Sequence, residues 1–368
     1  MSGTLYSERT IMHRPVVQLR PLNVAVVANV KGMTQIPLDV PDAEAEFDSP
    51  QTIDAVCQAI ASDGHQVTFV VGDATFPATV QALQPDICFN MTEGMYGDAR
   101  EAQIPGVLEL FRIPYTGSRI LTNAVTLDKV LTKRIWQQFG LPTAAFQVFV
   151  TGDEALSSDL VFPLFVKPAN EGSGKGMDAG SIVHHVDALR ARVQWVLARY
   201  KQPALVEHYL PGREFTVGVI GHAHAKSASR ISNRYADDGY MRLPILEIES
   251  SRSVTPGVYG TTNKTLAIAD AGVASFICPA PLEEAMYAEL YRLAIAAHEA
   301  VGANDISRVD MRLDAHGTPV LIEINTLPGL TPDFSDLIVM TNAAGLAYND
   351  VILEIFYLAA HRYGIATV

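Results

Sequence analysis

Two short runs near the C-terminus carry polar side chains at alternating positions. Arg308 and Asp310 alternate with apolar residues in RVDMRLD, and Glu323 and Asn325 do so in VLIEIN. Successive side chains of a strand point to opposite faces, so each pair would share one face. In a hairpin centred on the His-Gly pair between the runs, Asp310 would lie opposite Glu323, and Arg308 opposite Asn325.

Two carboxylates that face each other repel unless a cation lies between them. Carboxylate and amide oxygens suit Mg²⁺, which takes one or two protein carboxylates and completes its shell with water and substrate phosphates. The pattern therefore predicts a magnesium site at Asp310, Glu323 and Asn325. An exposed hairpin with solvated charges is the alternative, because a shift of one residue in register would separate the cluster.

A glycine-rich run, EGSGKGM, follows an apolar segment that is predicted to be a strand at 160–167. Glycines let backbone N–H groups come close to phosphate oxygens, and Lys175 adds a positive charge there. The spacing differs from the GxxxxGK[ST] motif of P-loop proteins. We therefore predict a phosphate-binding loop, with a glycine-rich hairpin that binds nothing as the alternative.

A third run, LVEHYLPGRE, places Glu207 and Glu214 seven residues apart, on either side of a turn. Such a linker could hold a nucleoside, with backbone groups on the base and Glu214 on the ribose hydroxyls. A plain strand, turn and strand explains the run nearly as well, so this signal is weak by itself.

The elements that would position these runs begin with three predicted strands at 23–30, 66–71 and 87–90. Between the first two, Ser49 and Pro50 provide an N-cap and a first-turn proline for a helix. Strand and helix in alternation predict a parallel sheet with helical crossovers.

Farther along, the pattern of apolar residues predicts helices at 123–139, 186–200, 281–301 and 348–361, and strands at 204–207, 214–220, 308–313 and 320–325. Residues 237–265 show no regular pattern, and a long irregular segment is typical of a functional loop.

The composition limits the classes of protein to consider. The chain has 368 residues, of which 48% are hydrophobic and 18% charged, which predicts a folded protein of two or three domains. A net charge of −13 argues against partners such as nucleic acid or an anionic membrane, since both require clustered Lys and Arg. No run approaches the ~18 apolar residues of a membrane span, and no signal peptide or CxxC pair is evident. We expect a cytoplasmic location.

Taken together and in this order, the three runs resemble the ATP-grasp superfamily, and within it the D-alanine–D-alanine ligase family. The resemblance extends from about Ile87 to Arg362. It is densest in four segments, Pro114–Lys133, Phe165–Met177, Val206–Val219 and Ser307–Pro332, the last of which contains EINTLPGLTP.

This resemblance implies an α/β fold of three domains with an N-terminal parallel sheet. The expected organisation is a loose extension (1–22), an N-terminal domain (23–118), a central subdomain with the glycine-rich loop (119–205) and a C-terminal subdomain with the metal site (206–368). It also implies ATP and Mg²⁺, with Mn²⁺ as a substitute, small carboxylate and amine substrates, and a homodimer.

The resemblance also assigns roles to residues. Those implied to bind ATP are Lys129, Lys167, Glu207, Tyr209, Leu210, Glu214 and Lys264. Those implied to bind magnesium are Asp310, Glu323 and Asn325. Arg308 and the backbone N–H of Gly329 match groups that stabilise a tetrahedral intermediate, and Ser173 lies in the loop that resembles the family's flexible cover over the phosphates.

The sequence departs from the family at the substrate end. The glutamate that usually follows the first strand is missing from NVKGMT, and the usual His-Gly of the next loop is replaced by Thr92-Glu93-Gly94. A Ser-Leu pair that receives a substrate carboxylate appears here as Phe334-Ser335. Candidates to bind substrate instead are Glu93, Arg100 and Ser335, and the alternative for the first two is that they are surface-loop charges.

Three functions remain open at this stage. The favoured one is a ligase that joins a carboxylate to an amine through an acyl-phosphate, with altered substrates and a possible place in specialised metabolism. The second is a true D-alanine–D-alanine ligase of cell-wall synthesis. The third is a regulatory module that binds ATP without catalysis, against which the complete set of polar residues in the hairpin argues.

Overall fold

Three β-sheets organise the described part of the chain in the computed structural model. The structure describes residues 20–34, 44–223, 225–249, 257–258 and 275–365. Lys264, most of the predicted N-terminal extension and much of the predicted irregular segment lie outside these residues.

The N-terminal sheet is parallel, as predicted. Its strands are β1 (Asn23–Ala28), β2 (Gln66–Val71) and β3 (Ile87–Met91), in the order β2-β1-β3. Its helices are α1 (Pro50–Ala61), α2 (Phe76–Leu83) and α3 (Gln103–Leu110). Ser49 is the N-cap of α1, and its hydroxyl accepts a hydrogen bond from the backbone N–H of Thr52.

The central sheet is antiparallel and carries the glycine-rich loop. Its strands are β4 (Phe146–Phe149), β5 (Leu164–Pro168), β6 (Ile182–Val183) and β7 (Ala204–His208), in the order β4-β7-β5-β6. Helix α6 (Val186–Tyr200) buries Leu189, Val193 and Val196 in the same apolar core as this sheet. The loop leaves the sheet at the end of β5.

The third sheet is also antiparallel and carries the predicted hairpin. Its strands are β8 (Glu214–Ile220), β9 (Leu246–Glu249), β10 (Ser275–Ile277), β11 (Ile306–Leu313) and β12 (Pro319–Asn325), in the order β10-β9-β8-β11-β12. The chain changes sheet between His208 and Glu214, so the boundary predicted at 205/206 falls inside β7. The other domain boundaries remain predictions.

Helices outside the sheets join the parts together. They are α4 (Ile120–Leu127), α5 (Lys129–Gln138), the short α7 (Ala225–Ala228), α8 (Glu284–Ala300), α9 (Asp336–Ala343) and α10 (Tyr348–Arg362). Trp136 of α5 is fully buried in the core of the third sheet, and Phe356 of α10 is buried in one core with Ile53 of α1. The core that contains Phe356 joins the N-terminal and third sheets, and α5 also packs on the central sheet, where Val130 lies in a cluster with Leu205.

No single helix in the described part of the chain is long and apolar enough to cross a membrane; α9 and α10 pass that test only as a pair, which is bent by 111°.

Two predicted elements were wrong in detail. The helix predicted at 123–139 is two helices, because Asp128 adopts an extended backbone (φ −83°, ψ 98°) that ends α4. Its carboxylate then accepts hydrogen bonds from the N–H groups of Val130 and Leu131 and so caps α5. The irregular segment contains β9, whose pairing with β8 the local sequence does not reveal.

Candidate active site

The hairpin of β11 and β12 has the predicted register where the polar residues lie. Arg308 pairs with Asn325 and Asp310 with Glu323. Beyond Asp310 the register shifts, since Met311 pairs with Leu321 and the strand opposite carries one extra residue. The pairs beyond the bulge centre the turn on His316, and the bulge restores the predicted register at the polar cluster.

Arg308 is the electrostatic centre of this cluster. Its guanidinium lies 3.1 Å from Asp310 Oδ2 and 3.2 Å from Asp336 Oδ2, the latter at the start of α9. Burial would lower the pKa of Arg308, but these two carboxylates raise it, so the side chain stays charged. Asn325 Nδ2 is 3.4 Å from Asp310 Oδ2 and completes the polar face.

The donor set fits Mg²⁺ in the presence of a phosphate. Glu323 is held by Lys129, whose Nζ lies 3.2 Å from Glu323 Oε2. The described residues contain no group of three or more His, Cys, Asp or Glu side chains that could hold a metal by themselves. Magnesium needs no such group, because one or two carboxylates suffice when substrate phosphates supply the remaining oxygens. Asp310, Glu323 and Asn325 provide two carboxylates and an amide on one face.

Glu207 lies between two buried lysines. Its two oxygens are each 2.7 Å from an ammonium group, that of Lys133 and that of Lys167. Burial would raise the pKa of Glu207, but the two lysines lower it to about 2. The pKa of Lys167 is raised by its carboxylate neighbours against the effect of burial, so it remains a cation.

Lys133 is a site residue that our sequence reasoning missed. It lies four residues after Lys129 on α5, so both side chains project from one face of the helix. That i,i+4 spacing in DKVLTK was the signal that could have identified it.

Arg312 is a second missed residue. It lies on the same face of β11 as Arg308 and Asp310, and its guanidinium is 3.4 Å from Glu214 Oε2 and 5.2 Å from the centre of the Tyr209 ring. Thus two residues predicted to contact the nucleoside meet at one arginine, and Leu210 lies beside them in the chain, half-buried.

The glycine-rich loop folds onto an acid from the N-terminal domain. Lys175 Nζ is 2.6 Å from Glu46 Oε2 and 3.1 Å from Glu171 Oε2. A Cβ atom at Gly172 would lie only 2.3 Å from Glu46 Oε1, so a larger residue there would displace the Glu46 carboxylate. The Lys129 ammonium also donates to the carbonyl of Glu171, which ties the loop to α5.

Arg100 belongs to the same ion-pair cluster. Its guanidinium is 3.0 Å from Glu46 Oε2 and 3.4 Å from Glu171 Oε2, and it donates to the carbonyl of Asn170. The side chain is buried, so the alternative that Arg100 is a surface-loop charge is wrong. Burial would raise the pKa of Glu46, but Arg100 and Lys175 lower it to about 2. Sequence reasoning missed Glu46.

These clusters surround a cavity of about 460 Å³ where the three parts of the chain meet. The sequence-predicted residues that line it are Glu93, Lys129, Ser173, Arg308, Glu323, Asn325, Gly329 and Ser335. Those that do not line it are Arg100, Lys167, Glu207, Tyr209, Leu210, Glu214 and Asp310. The cavity is therefore the meeting point of the metal cluster, the glycine-rich loop and the N-terminal domain.

Two glutamates on the N-terminal wall of the cavity have raised pKa values. Burial and the neighbouring acids Glu101 and Glu46 raise the pKa of Glu93 well above its usual range. Burial raises the pKa of Glu101 to about 7, although Arg100 lowers it. Nearby, burial raises the pKa of Asp48 to about 7. Our sequence reasoning did not single out Glu101.

The opposite wall is formed by the turn after β12 and the start of α9. Ser335 Oγ accepts a hydrogen bond of 2.9 Å from the backbone N–H of Thr331. A Cβ atom at Gly329 would lie 2.8 Å from that same oxygen, so the turn and Ser335 pack closely. Phe334, about half exposed, lines the cavity beside them.

Comparison with known proteins agrees with this geometry. A family model described as D-ala D-ala ligase C-terminus matches residues 135–357. The D-alanine–D-alanine ligase of Nitrosococcus oceani is 34% identical over 261 residues, which cover 70% of this chain and 73% of that protein. A Sinorhizobium fredii protein named Uncharacterized protein y4sG is 30% identical over 318 residues, which cover 84% and 88%.

The fold has counterparts among solved structures. The crystal structure of D-alanine–D-alanine ligase from Bacillus anthracis complexed with ATP matches with a TM-score of 0.69 and 20% identity, and the match covers 93% of this chain and 98% of that one. The predicted α/β architecture of the ATP-grasp type is thereby confirmed.

Proposed function

We propose, because this chain belongs to the D-alanine–D-alanine ligase family, that it joins a carboxylate to an amine through an acyl-phosphate. As a member of that family it is an ATP-dependent enzyme that forms C–N bonds. The single observation that carries the proposal is the facing pair Asp310 and Glu323, which lies beside Arg308 and Lys129 at the edge of the shared cavity.

In the first step a substrate carboxylate attacks the γ-phosphorus of ATP, ADP leaves, and an acyl-phosphate forms. Catalysis of such a transfer depends on positioning and on positive charge near the phosphoryl oxygens. Lys129 and Lys167 supply that charge, and Ser173 with its neighbours covers the phosphates. Mg²⁺ bound by Asp310, Glu323 and Asn325 would neutralise further charge on the phosphates.

In the second step the amine attacks the acyl carbon, the amide forms, and inorganic phosphate leaves together with a proton from the amine. Negative charge develops on the acyl oxygen during this attack. Arg308 and the N–H of Gly329 are the donors we assign to it, and loss of one such donor typically costs about 10²–10³ in rate. The ion pair with Asp336 holds the Arg308 guanidinium at the cavity wall.

At the far end of the ATP site, the linker after β7 would hold the nucleoside. We assign the adenine to Glu207, Tyr209 and Leu210 and the ribose to Glu214. Arg312 supports this assignment because it orders Tyr209 and Glu214 from the same side. Lys264 stays a proposed phosphate contact on the basis of the sequence resemblance.

The finer question is the substrate pair. We propose that it is not two molecules of D-alanine, because Glu93, Glu101 and Asp336 line the cavity and the sequence departs from the family at this end. Ser335 is the remaining candidate for a carboxylate contact. The relatives named D-alanine–D-alanine ligase support the second candidate, a true D-alanine–D-alanine ligase.

A coupled assay of ADP release over pairs of amino acids and small amines tests the proposal. We expect ADP formation that requires both substrates and Mg²⁺, and its loss in Glu323→Gln. Efficient ADP formation with D-alanine alone would favour the second candidate. Absence of ADP formation with every pair would contradict the ligase assignment.

The homodimer and the cytoplasmic location also remain proposals. Light scattering coupled to gel filtration of the full-length protein measures the first directly, since a dimer has twice the chain mass of 39.9 kDa. A mass equal to that of one chain would refute it.

A further inference from the structure

Two glutamates on the N-terminal wall of the cavity have no hydrogen-bond or ion-pair partner among the described residues. Glu93 and Glu101 both line it, and Glu101 is only 9% exposed. Within the described part of the chain, neither side chain makes a hydrogen bond or an ion pair. Arg100, next to Glu101 in sequence, directs its guanidinium to Glu46 and Asn170 instead.

The other acids that line the cavity are already paired with cations. They are Glu46 with Arg100 and Lys175, Glu171 with the same two residues, Glu323 with Lys129, and Asp336 with Arg308. Those pairs leave Glu93 and Glu101 as an excess of negative charge on the N-terminal wall. Lys31, the remaining cation of the lining, is exposed.

Buried carboxylates without a counter-charge are costly unless they are protonated. Burial and the neighbouring acids raise the pKa of both groups, and the more distant positive charge of Arg100 offsets that rise only in part. A ligand that brings positive charge would lower both pKa values again. The wall therefore favours a cationic ligand over a neutral one.

A neutral amino acid supplies one positive charge, its α-ammonium group, whereas this wall presents two carboxylates that form no ion pair with any described residue. We propose that the substrate on the N-terminal side of the cavity is a small molecule with two positive charges, a basic amino acid or a diamine, held by Glu93 and Glu101. The inference rests on the proposed function, since it takes this cavity to be the substrate site of the ligase.

Isothermal titration of the full-length protein with Mg²⁺ and a non-hydrolysable ATP analogue tests this assignment. The probes are lysine and norleucine, each as both enantiomers, and 1,4-diaminobutane and butylamine. The members of each comparison differ mainly in one positive charge. In at least one of these comparisons, we expect the more cationic member to bind about tenfold more tightly or better. A tenfold difference in Kd corresponds to about 1.4 kcal/mol of binding free energy.

Variants locate the source of that preference. Glu93→Gln and Glu101→Gln should each reduce it, and the double variant should abolish it. Asp54→Asn, which removes an exposed acid of α1 outside the cavity, should retain it. A thermal unfolding curve for each variant shows that the fold is intact.

Equal binding of the charged and neutral members, failure of every cationic probe to bind, or a preference that survives in the double variant would each overturn the assignment. The proposed function fails separately. Efficient Mg²⁺-dependent ADP formation with neutral amino acids only would retain the ligase and reject the cationic substrate. Binding of lysine through Glu93 and Glu101 without ADP formation from any pair would retain the cationic ligand and reject the ligase.

Discussion

Two groups of acids near the cavity differ in how their negative charge is balanced. In the paired region, Glu207 and Glu323 contact lysines from α5 and β5 at 2.7 to 3.2 Å. In the unpaired region, Glu93 and Glu101 lie in the cavity wall and form no ion pair within the part of the chain that the structure describes. The pKa of Glu207 is lowered to about 2, whereas that of Glu101 is raised to about 7.

The difference indicates which ligand each region is built to receive. Lysines that are fixed by a carboxylate remain charged and ordered, and such cations suit phosphates, whose chemistry is the same for every substrate of the family. Carboxylates left without a partner can be matched by the ligand itself. We infer that the paired region serves the shared chemistry and the unpaired region sets the specificity.

The largest expected effect is in the metal cluster. Asp310→Asn removes one of the two facing carboxylates, and an amide cannot replace the negative charge that compensates magnesium. We expect ADP release to fall below detection while the variant still unfolds in one cooperative transition, which shows that it is folded. Turnover like that of the wild type at limiting Mg²⁺ would remove Asp310 from the metal site.

The next effect concerns the stability of the paired region. Glu207→Gln leaves Lys133 and Lys167 buried with no carboxylate between them, and loss of one partner of a buried ion pair typically costs about 3–5 kcal/mol. Urea unfolding measures the change. Glu289→Gln, at an exposed pair with Arg292, is the matched control and should cost less than about 1 kcal/mol. Equal losses would mean that burial of the Glu207 cluster is unimportant.

The predictability of the site follows from the distance along the chain between its members. Asp310 and Glu323 could be paired from the sequence because they alternate along two strands joined by a short turn. Glu46 could not be identified, because it meets Lys175 across 129 positions of sequence. No local pattern records such a contact.

For the fold as well, local patterns could be predicted from the sequence and features without a local pattern could not. The parallel sheet could be predicted because its strands are apolar runs separated by capped helices, whereas the break between α4 and α5 could not. Asp128 is of a residue type that is common on helix surfaces. Only its extended backbone and the hydrogen bonds that it accepts from Val130 and Leu131 reveal that it caps α5. Arg100 shows that a residue type alone does not predict a role. Its charge suggested substrate binding, but its contacts tie the glycine-rich loop to Glu46.

A smaller effect is expected where the two regions meet. Glu46→Gln removes the negative charge shared by Arg100 and Lys175, and a hydrogen bond to a charged group is typically worth about 1.5–3 kcal/mol. The folded-state pKa of Glu46 lies below its usual value of 4.5, so its contribution to stability is present above that pH and is lost as the pH falls toward 2. Urea unfolding from pH 7 to pH 3 should therefore show a smaller difference between variant and wild type at low pH. A constant difference would contradict the assigned ion pairs.

The smallest effect has the opposite sign and distinguishes the two regions most directly. The folded-state pKa of Glu101, about 7, lies above its usual value of 4.5, so the wild type loses stability as the pH rises from 4.5 to 7 and loses no more above that. Glu101→Gln keeps the size of the side chain and removes that ionisation. We expect stability equal to that of the wild type near pH 4 and a gain of at least about 1 kcal/mol near pH 8, by urea unfolding without ligands. A loss of stability at pH 8, like that of Glu207→Gln, would show that Glu101 has a cationic partner, and the contrast between the regions would fail.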